Sequence, residues 1–115
     1  MKTPYYIVYE EKLRNNLNLI TRVMQESGAK IIMAFKANAL WKTFPIIKEY
    51  GFCSTASSVN EMLLANEELD CLAHTYCPVY TNETIEKFMR GSSHITFNSV
   101  AQYERFKQRV EDFGK

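Results

Sequence analysis

The sequence predicts an α/β fold, a parallel sheet with helices packed against it, on three observations. Short apolar or β-rich runs alternate with amphipathic stretches from Lys30 onward, the runs begin at roughly even intervals, and each leads into a segment carrying helix-capping residues. The strand candidates are residues 30–35 (KIIMAF), 52–57 (FCSTAS), 72–77 (LAHTYC) and 94–98 (HITFN), with 5–9 (YYIVY, from Tyr5 to Tyr9) as an earlier one. Successive strand–helix units connect by crossovers, which makes the sheet parallel, either as part of a (β/α)8 barrel or as an open doubly wound sheet. The pattern alone leaves both open.

Each helix has a local reason. Residues 10–27 place Leu13, Leu17, Ile20 and Met24 at helical spacing, and Gly28 supplies the stop. Thr43 precedes a short helix with Pro45 in its first turn, where a missing N–H is harmless; Phe44, Ile47 and Tyr50 recur at helical spacing and Gly51 ends it. Ser58-Val59-Asn60-Glu61 is a capping box opening a helix through Leu64, and Ser99-Val100-Ala101-Gln102 repeats it ahead of Tyr103, Phe106 and Val110. Thr81 or Asn82 is placed to cap the helix containing Ile85, Phe88 and Met89.

Composition narrows the class. With 46% hydrophobic residues over 115 positions the chain has the make-up of one folded domain at most, and 14 Lys+Arg against 13 Asp+Glu give no charge excess directed at nucleic acid or an anionic membrane. No run reaches the ~18 apolar residues of a membrane span, and Met1-Lys2-Thr3-Pro4-Tyr5 lacks the build of a signal peptide, so a cytoplasmic location is expected. The odd count of cysteines, Cys53, Cys71 and Cys77, fits free thiols in a reducing compartment. Cys71, His74 and Cys77 have a metal-like spacing, but alternation within one strand puts His74 opposite the two cysteines, whose sulfurs would lie ~20 Å apart, so no metal site is read there. His74 and His94 are read as a strand residue and a strand-start residue without a nucleophile or carboxylate partner.

Lys36 is the residue best placed for chemistry. It follows Ile31-Ile32-Met33-Ala34-Phe35, at the carboxyl end of a buried strand, the edge where parallel α/β folds assemble their sites. Alternation groups Ile32, Ala34 and Lys36 on one face, and a small Ala34 leaves room for a ring beside the lysine. A lysine partly shielded from water there would keep a neutral amine ready to attack an aldehyde. By position alone, a lysine reaching past a strand end into water is the commoner case.

Three segments, Thr3-Pro4-Tyr5-Tyr6-Ile7-Val8-Tyr9, Met33-Ala34-Phe35-Lys36-Ala37-Asn38-Ala39 and Thr55-Ala56-Ser57-Ser58-Val59-Asn60-Glu61, resemble in order the N-terminal landmarks of the alanine-racemase-like pyridoxal-phosphate decarboxylases. Within that superfamily, Ala39-Leu40-Trp41 with Phe44-Pro45, the Thr55-Ala56-Ser57-Ser58 segment, and Phe97-Asn98-Ser99 before Glu104-Arg105-Phe106 look most like the carboxynorspermidine (carboxyspermidine) decarboxylase branch. The resemblance implies the N-terminal part of a (β/α)8 TIM-type barrel of fold-type III, incomplete at Lys115. The strand at Tyr5–Tyr9 would lead in from a β-domain side, and the C-terminal β-domain would lie outside the chain.

It also implies that Lys36 holds pyridoxal 5′-phosphate as a Schiff base, with Ala34 and Thr55 beside the cofactor; Thr55 stands where ornithine-type relatives have an aspartate. The implied reaction is decarboxylation of carboxynorspermidine or carboxyspermidine in polyamine biosynthesis, by a full-length homodimer whose second subunit completes the site. The 115 residues alone are expected to be inactive. Glu61 matches a family glutamate, although the capping box already accounts for it, and Trp41 could equally wall a substrate pocket or pack under the first helix. The competing readings are a diaminopimelate decarboxylase or amino-acid racemase of the same superfamily, a non-catalytic single-domain barrel that binds the cofactor, and an interaction module without cofactor.

Overall fold

The computed structural model describes residues 3–114 and divides into two compact units, one ending at Ile31 and the other beginning at Ile32. In the first, α1 spans Glu10–Ser27, the range that the apolar periodicity gave. Leu17 is buried, with Leu13, Ile20 and Met24 half-buried along the same stripe. Gly28 ends the helix in the left-handed region, φ 70°, and its N–H donates to the Met24 carbonyl at 2.9 Å. Residues 5–9, expected as a strand, are not one. A strand is made by its ladder partners, and this unit offers none; Tyr6 is 97% exposed.

The second unit is built around a four-stranded parallel sheet of β1 (Met33–Ala34), β2 (Ser54–Ala56), β3 (Ala73–Tyr76) and β4 (Ser92–Thr96), in that spatial order. Between and after the strands come α2 (Phe44–Lys48), preceded by a 3-10 turn at Trp41–Thr43, then α3 (Val59–Glu68), α4 (Ile85–Gly91) and α5 (Val100–Asp112). The βαβα reading therefore holds.

All four strands depart from their expected limits, and competing hydrogen bonds explain several of the differences. β1 stops at Ala34 because its carbonyl accepts the N–H groups of Ala37 (2.9 Å) and Asn38 (3.1 Å), which turns the chain at once. β2 stops at Ala56 where the Ser57 N–H is taken by the Glu61 carboxylate at 2.6 Å. β4 begins two residues earlier than expected because α4 runs into it without a loop, and the Ser92 and Thr75 hydroxyls bond at 2.6 Å across β4 and β3.

Burial alternates along the strands as period two requires. Ser54, Ala56, Ala73 and Thr75 are buried on the face covered by helices, where α3 packs on β2 and β3 and α4 on β4. On that side Phe35, just past β1, stacks on Phe44 of α2 with ring centroids 5.4 Å apart. Tyr80 meets Phe88 at 5.3 Å and Phe97 at 5.4 Å, and Phe97 meets Tyr103 at 5.7 Å, joining the β3–α4 loop to α4, the end of β4 and α5.

The α3–α4 contact depends on Gly91. Asn66 of α3 donates through Nδ2 to the carbonyls of Cys71 (2.8 Å) and Gly91 (3.0 Å), so the amide is held in place. A Cβ on Gly91 would collide with Met62 and lie 2.6 Å from Asn66 Oδ1. Gly91→Ala should therefore cost about 1–3 kcal/mol of stability by overpacking. Urea unfolding of variant and wild type side by side checks this, and an unchanged midpoint would show that α3 and α4 part without cost.

Candidate active site

The carboxyl edge of the sheet is where the loops leading into the helices gather, and each loop is held by its own side-chain bonds. Ser58 Oγ accepts the Glu61 N–H at 3.1 Å and Ser99 Oγ accepts the Gln102 N–H at 3.2 Å, so both capping boxes form as expected. Glu61 completes its box on Ser57, one residue before the cap. Neither Thr81 nor Asn82 caps α4: its N-cap is Thr84, without a side-chain cap bond, because Thr81 Oγ1 accepts the Thr84 N–H at 3.2 Å and Thr84 Oγ1 the Thr81 N–H at 3.0 Å, closing a turn ahead of the helix. The carbonyl of Pro78 accepts from both Asn98 Nδ2 (2.9 Å) and Gln102 Nε2 (3.1 Å), which ties the β3–α4 loop to the β4–α5 loop.

Lys36 lies in the turn directly after β1 and is exposed. The expected shielding from water is absent because the turn at Ala34 carries Lys36 past the strand end. The anchor is its neighbour: Phe35 is buried against Phe44, which fixes the turn from the helix-covered side. Asn38 stiffens the exit from the turn by accepting the Leu40 N–H on Oδ1 at 3.1 Å.

Parallel pairing puts Ala34 opposite Thr55, Thr55 opposite His74, and His74 opposite His94. Residues paired in this way share a face, so the four form one row across the sheet on the side opposite α3 and α4. Ala34 and Thr55, named from the sequence with Lys36, are thus brought side by side at the strand that Lys36 terminates. The two histidines, read singly from the sequence, stack with ring centroids 4.2 Å apart. His74 lies one residue past the start of β3 and His94 two past the start of β4, and a register shift between Ala73 and His74 brings them opposite each other, which local spacing does not signal.

Trp41 is 51% exposed and carries the Lys42 Nζ 5.6 Å from its ring. Lys42 is therefore engaged over an indole, and Lys48 lies 3.5 Å from Asp70. Cys53, Cys71 and Cys77 are free thiols; burial, with Cys53 close by, pushes the Cys71 thiol up from its usual value.

Sequence reasoning missed Tyr80. Its buried hydroxyl accepts the Cys77 N–H at 3.0 Å and donates to the Thr96 carbonyl at 3.1 Å, with the Thr75 carbonyl at 3.4 Å. One oxygen thereby joins the carboxyl ends of β3 and β4.

These residues suit a ring-bearing aldehyde cofactor such as pyridoxal phosphate: a primary amine exposed at a strand end, a small side chain in the row beside it, and a hydroxyl on the next strand. No family model matches the chain. It is 37% identical over 111 residues to a carboxynorspermidine/carboxyspermidine decarboxylase of Campylobacter jejuni, spanning 96% of this chain and 29% of that protein. A crystal structure of carboxynorspermidine decarboxylase from Campylobacter jejuni, complexed with norspermidine, superposes with a TM-score of 0.91 at 37% identity, over 96% of this chain and 30% of that one. The chain is homologous to carboxynorspermidine/carboxyspermidine decarboxylases. A second such decarboxylase, from Herminiimonas arsenicoxydans, is 32% identical over 96% of the chain and 30% of its own length. A carboxyaminopropylagmatine decarboxylase of a Synechocystis species is 31% identical over 97% and 29%. The chain therefore spans somewhat under a third of the length of the decarboxylases it matches.

Burial raises the Tyr80 phenol from 10.0 to about 12, against the smaller opposing effect of the Cys77 N–H. A phenol harder to ionise when folded contributes stability that is complete below pH 10 and is lost as pH rises towards about 12. Tyr80→Phe should cost about 1–3 kcal/mol at neutral pH by leaving buried backbone groups without their partner. It should also flatten the alkaline fall in stability. Chemical unfolding of both proteins across that pH range measures both effects, and parallel curves would remove Tyr80 from the account.

Proposed function

We propose that this chain supplies the first strand–helix units of a (β/α)8 barrel in a pyridoxal-phosphate-dependent decarboxylase acting on carboxynorspermidine or carboxyspermidine. The observation that carries the reading is the match to decarboxylases of that name along 96% of the chain, at 37% identity and a TM-score of 0.91. The topology supports the barrel: strands in sequential order with helices packed on one face fit an arc of a barrel, whereas a doubly wound sheet reverses its strand order and carries helices on both faces.

In this reading Lys36 would hold pyridoxal 5′-phosphate through its Nζ. Ala34 leaves space for the ring, and the Thr55 hydroxyl offers a neutral hydrogen-bonding contact on the adjacent strand. When bound, the cofactor is a sink for the electrons left behind as the carboxylate departs as carbon dioxide. The chain's own contribution is orientation: Phe35 and Phe44 seat the lysine turn, and Tyr80 and the Pro78 carbonyl fix the opposite side of the edge. A cytoplasmic homodimer, with the partner subunit completing the site, belongs to the same reading.

Borohydride treatment of the resting full-length protein should leave pyridoxal phosphate on Lys36. It should not label Lys42, which sits over Trp41, or Lys30. Lys36→Ala should abolish the visible absorbance of the bound cofactor and slow turnover at least about a hundredfold, with far-ultraviolet circular dichroism unchanged. Label on Lys30 or Lys42, or near-normal turnover by the variant, would overturn the assignment.

The relative named for carboxyaminopropylagmatine widens the substrate question. Carbon dioxide release should be measured from carboxynorspermidine, carboxyspermidine, carboxyaminopropylagmatine and diaminopimelate. The expected order puts the first two ahead. Exclusive turnover of diaminopimelate would reject the polyamine assignment, and preference for carboxyaminopropylagmatine would move the protein to that neighbouring specificity.

A further inference from the structure

Beyond the Ala34–Thr55–His74–His94 row, the same face of the sheet carries a second row at the carboxyl edge. β3 ends on Tyr76, which pairs with Thr96 of β4. Two residues along an extended strand restore the face, so Tyr76 lies on the side of His74, while Ala73 and Thr75 are buried on the other. Its ring is 41% exposed.

The seat of this ring is unusually well fixed for an exposed aromatic. The residues on either side of Tyr76 in sequence, Thr75 and Cys77, and its cross-strand partner Thr96 all present backbone groups to the single Tyr80 hydroxyl. The backbone that carries the ring is held by a strand and by the buried Tyr80 bonds beside it, as a contact that must discriminate requires. The side chains of the two rows near it, Thr55, His74, His94 and Thr96, include no carboxylate. A cation arriving here would meet an aromatic face and hydroxyls, not an opposite charge.

We propose that Tyr76 is a specificity-determining residue whose ring receives an ammonium group and the adjoining methylenes of the polyamine chain, with the Thr96 hydroxyl beside it. The proposal rests on the decarboxylase reading above and deepens it. An ammonium over a phenol ring is attracted by the negative ring face, and the methylenes are shielded from water by the same surface.

The test uses the full-length protein and two variants. Tyr76→Phe keeps the ring face and should keep the wild-type KM for carboxynorspermidine and Kd for norspermidine. Tyr76→Leu keeps bulk and removes the ring; it should raise both constants about tenfold, with kcat within about twofold and the cofactor's visible absorbance unchanged. Wild-type constants in the leucine variant would overturn the proposal. So would a variant that loses kcat and cofactor absorbance together, because Tyr76 would then support the cofactor instead of the substrate. Calorimetry with norspermidine separates this from the functional reading. If wild type binds norspermidine but releases no carbon dioxide from carboxynorspermidine, the decarboxylase reading falls while the leucine variant still decides Tyr76; if wild type does neither, both fall.

Discussion

The pairing of four parallel strands, with one register shift between β3 and β4 at Ala73 and His74, sorts the side chains of the sheet unit. Because Ala34, Thr55, His74 and His94 stand in one row, their sequence neighbours are committed to the opposite face. There Ser54, Ala56, Ala73 and Thr75 are buried by helices. A slip of one residue in any strand would exchange the two sets, placing an imidazole under a helix and an alanine in the opposite row. The buried bond between the Thr75 and Ser92 hydroxyls guards against that slip between β3 and β4, since neither hydroxyl could be left unpaired in the core without penalty.

The same register decides what stands at the carboxyl edge. Loops over that edge are short, so their backbone groups need partners close by, and side chains supply them. Ser58 and Ser99 cap helices, Thr81 and Thr84 close the turn before α4, Asn98 and Gln102 converge on the Pro78 carbonyl, and Tyr80 gathers backbone groups from β3, its loop and β4. The edge is thus stiff on the side of β3 and β4. On the side of β1 the anchors are the Phe35–Phe44 stack, the Ala34 turn and the Asn38–Leu40 bond, and it is there that the exposed Lys36 sits. In the proposed decarboxylase a cofactor-holding lysine would need freedom at Nζ and a fixed Cα, and an exposed residue following the buried Phe35 suits both.

Helices were more legible in the sequence than strands, for a physical reason. A helix closes its hydrogen bonds within itself, so apolar spacing and a C-terminal glycine were enough to bound α1, and the two serine capping boxes marked α3 and α5. A strand is completed by its neighbours, so residues 5–9, with β-forming side chains but no partner in their unit, make none. β1 shrinks to Met33–Ala34 because the Ala34 carbonyl is taken by a turn. Alternation put Ala34 and Lys36 on one face of a strand, but the turn at Ala34 takes Lys36 out of it, and only the pairing of Ala34 with Thr55 is seen in the sheet. The His74–His94 stack and the Tyr80 bridge depend on cross-strand register and on a loop folding back, neither of which is written in local spacing.

Register also bears on how the two rows of the face opposite α3 and α4 would divide their work. The lower row holds small or stacked side chains, Ala34 and Thr55 next to one another and the imidazoles face to face at 4.2 Å. The upper row ends in Tyr76 and Thr96, an aromatic surface beside a hydroxyl. In the proposed enzyme, ring contact at Tyr76 rather than ion pairing would set the position of a polycationic chain on the upper row. The one cationic side chain placed at this edge from the sequence, Lys36, stands three strands away from β4, at the far end of the sheet from Thr96. In the proposed enzyme that separation would keep the reacting amine at one end of the edge and leave the β3–β4 end to grip the remainder of the substrate.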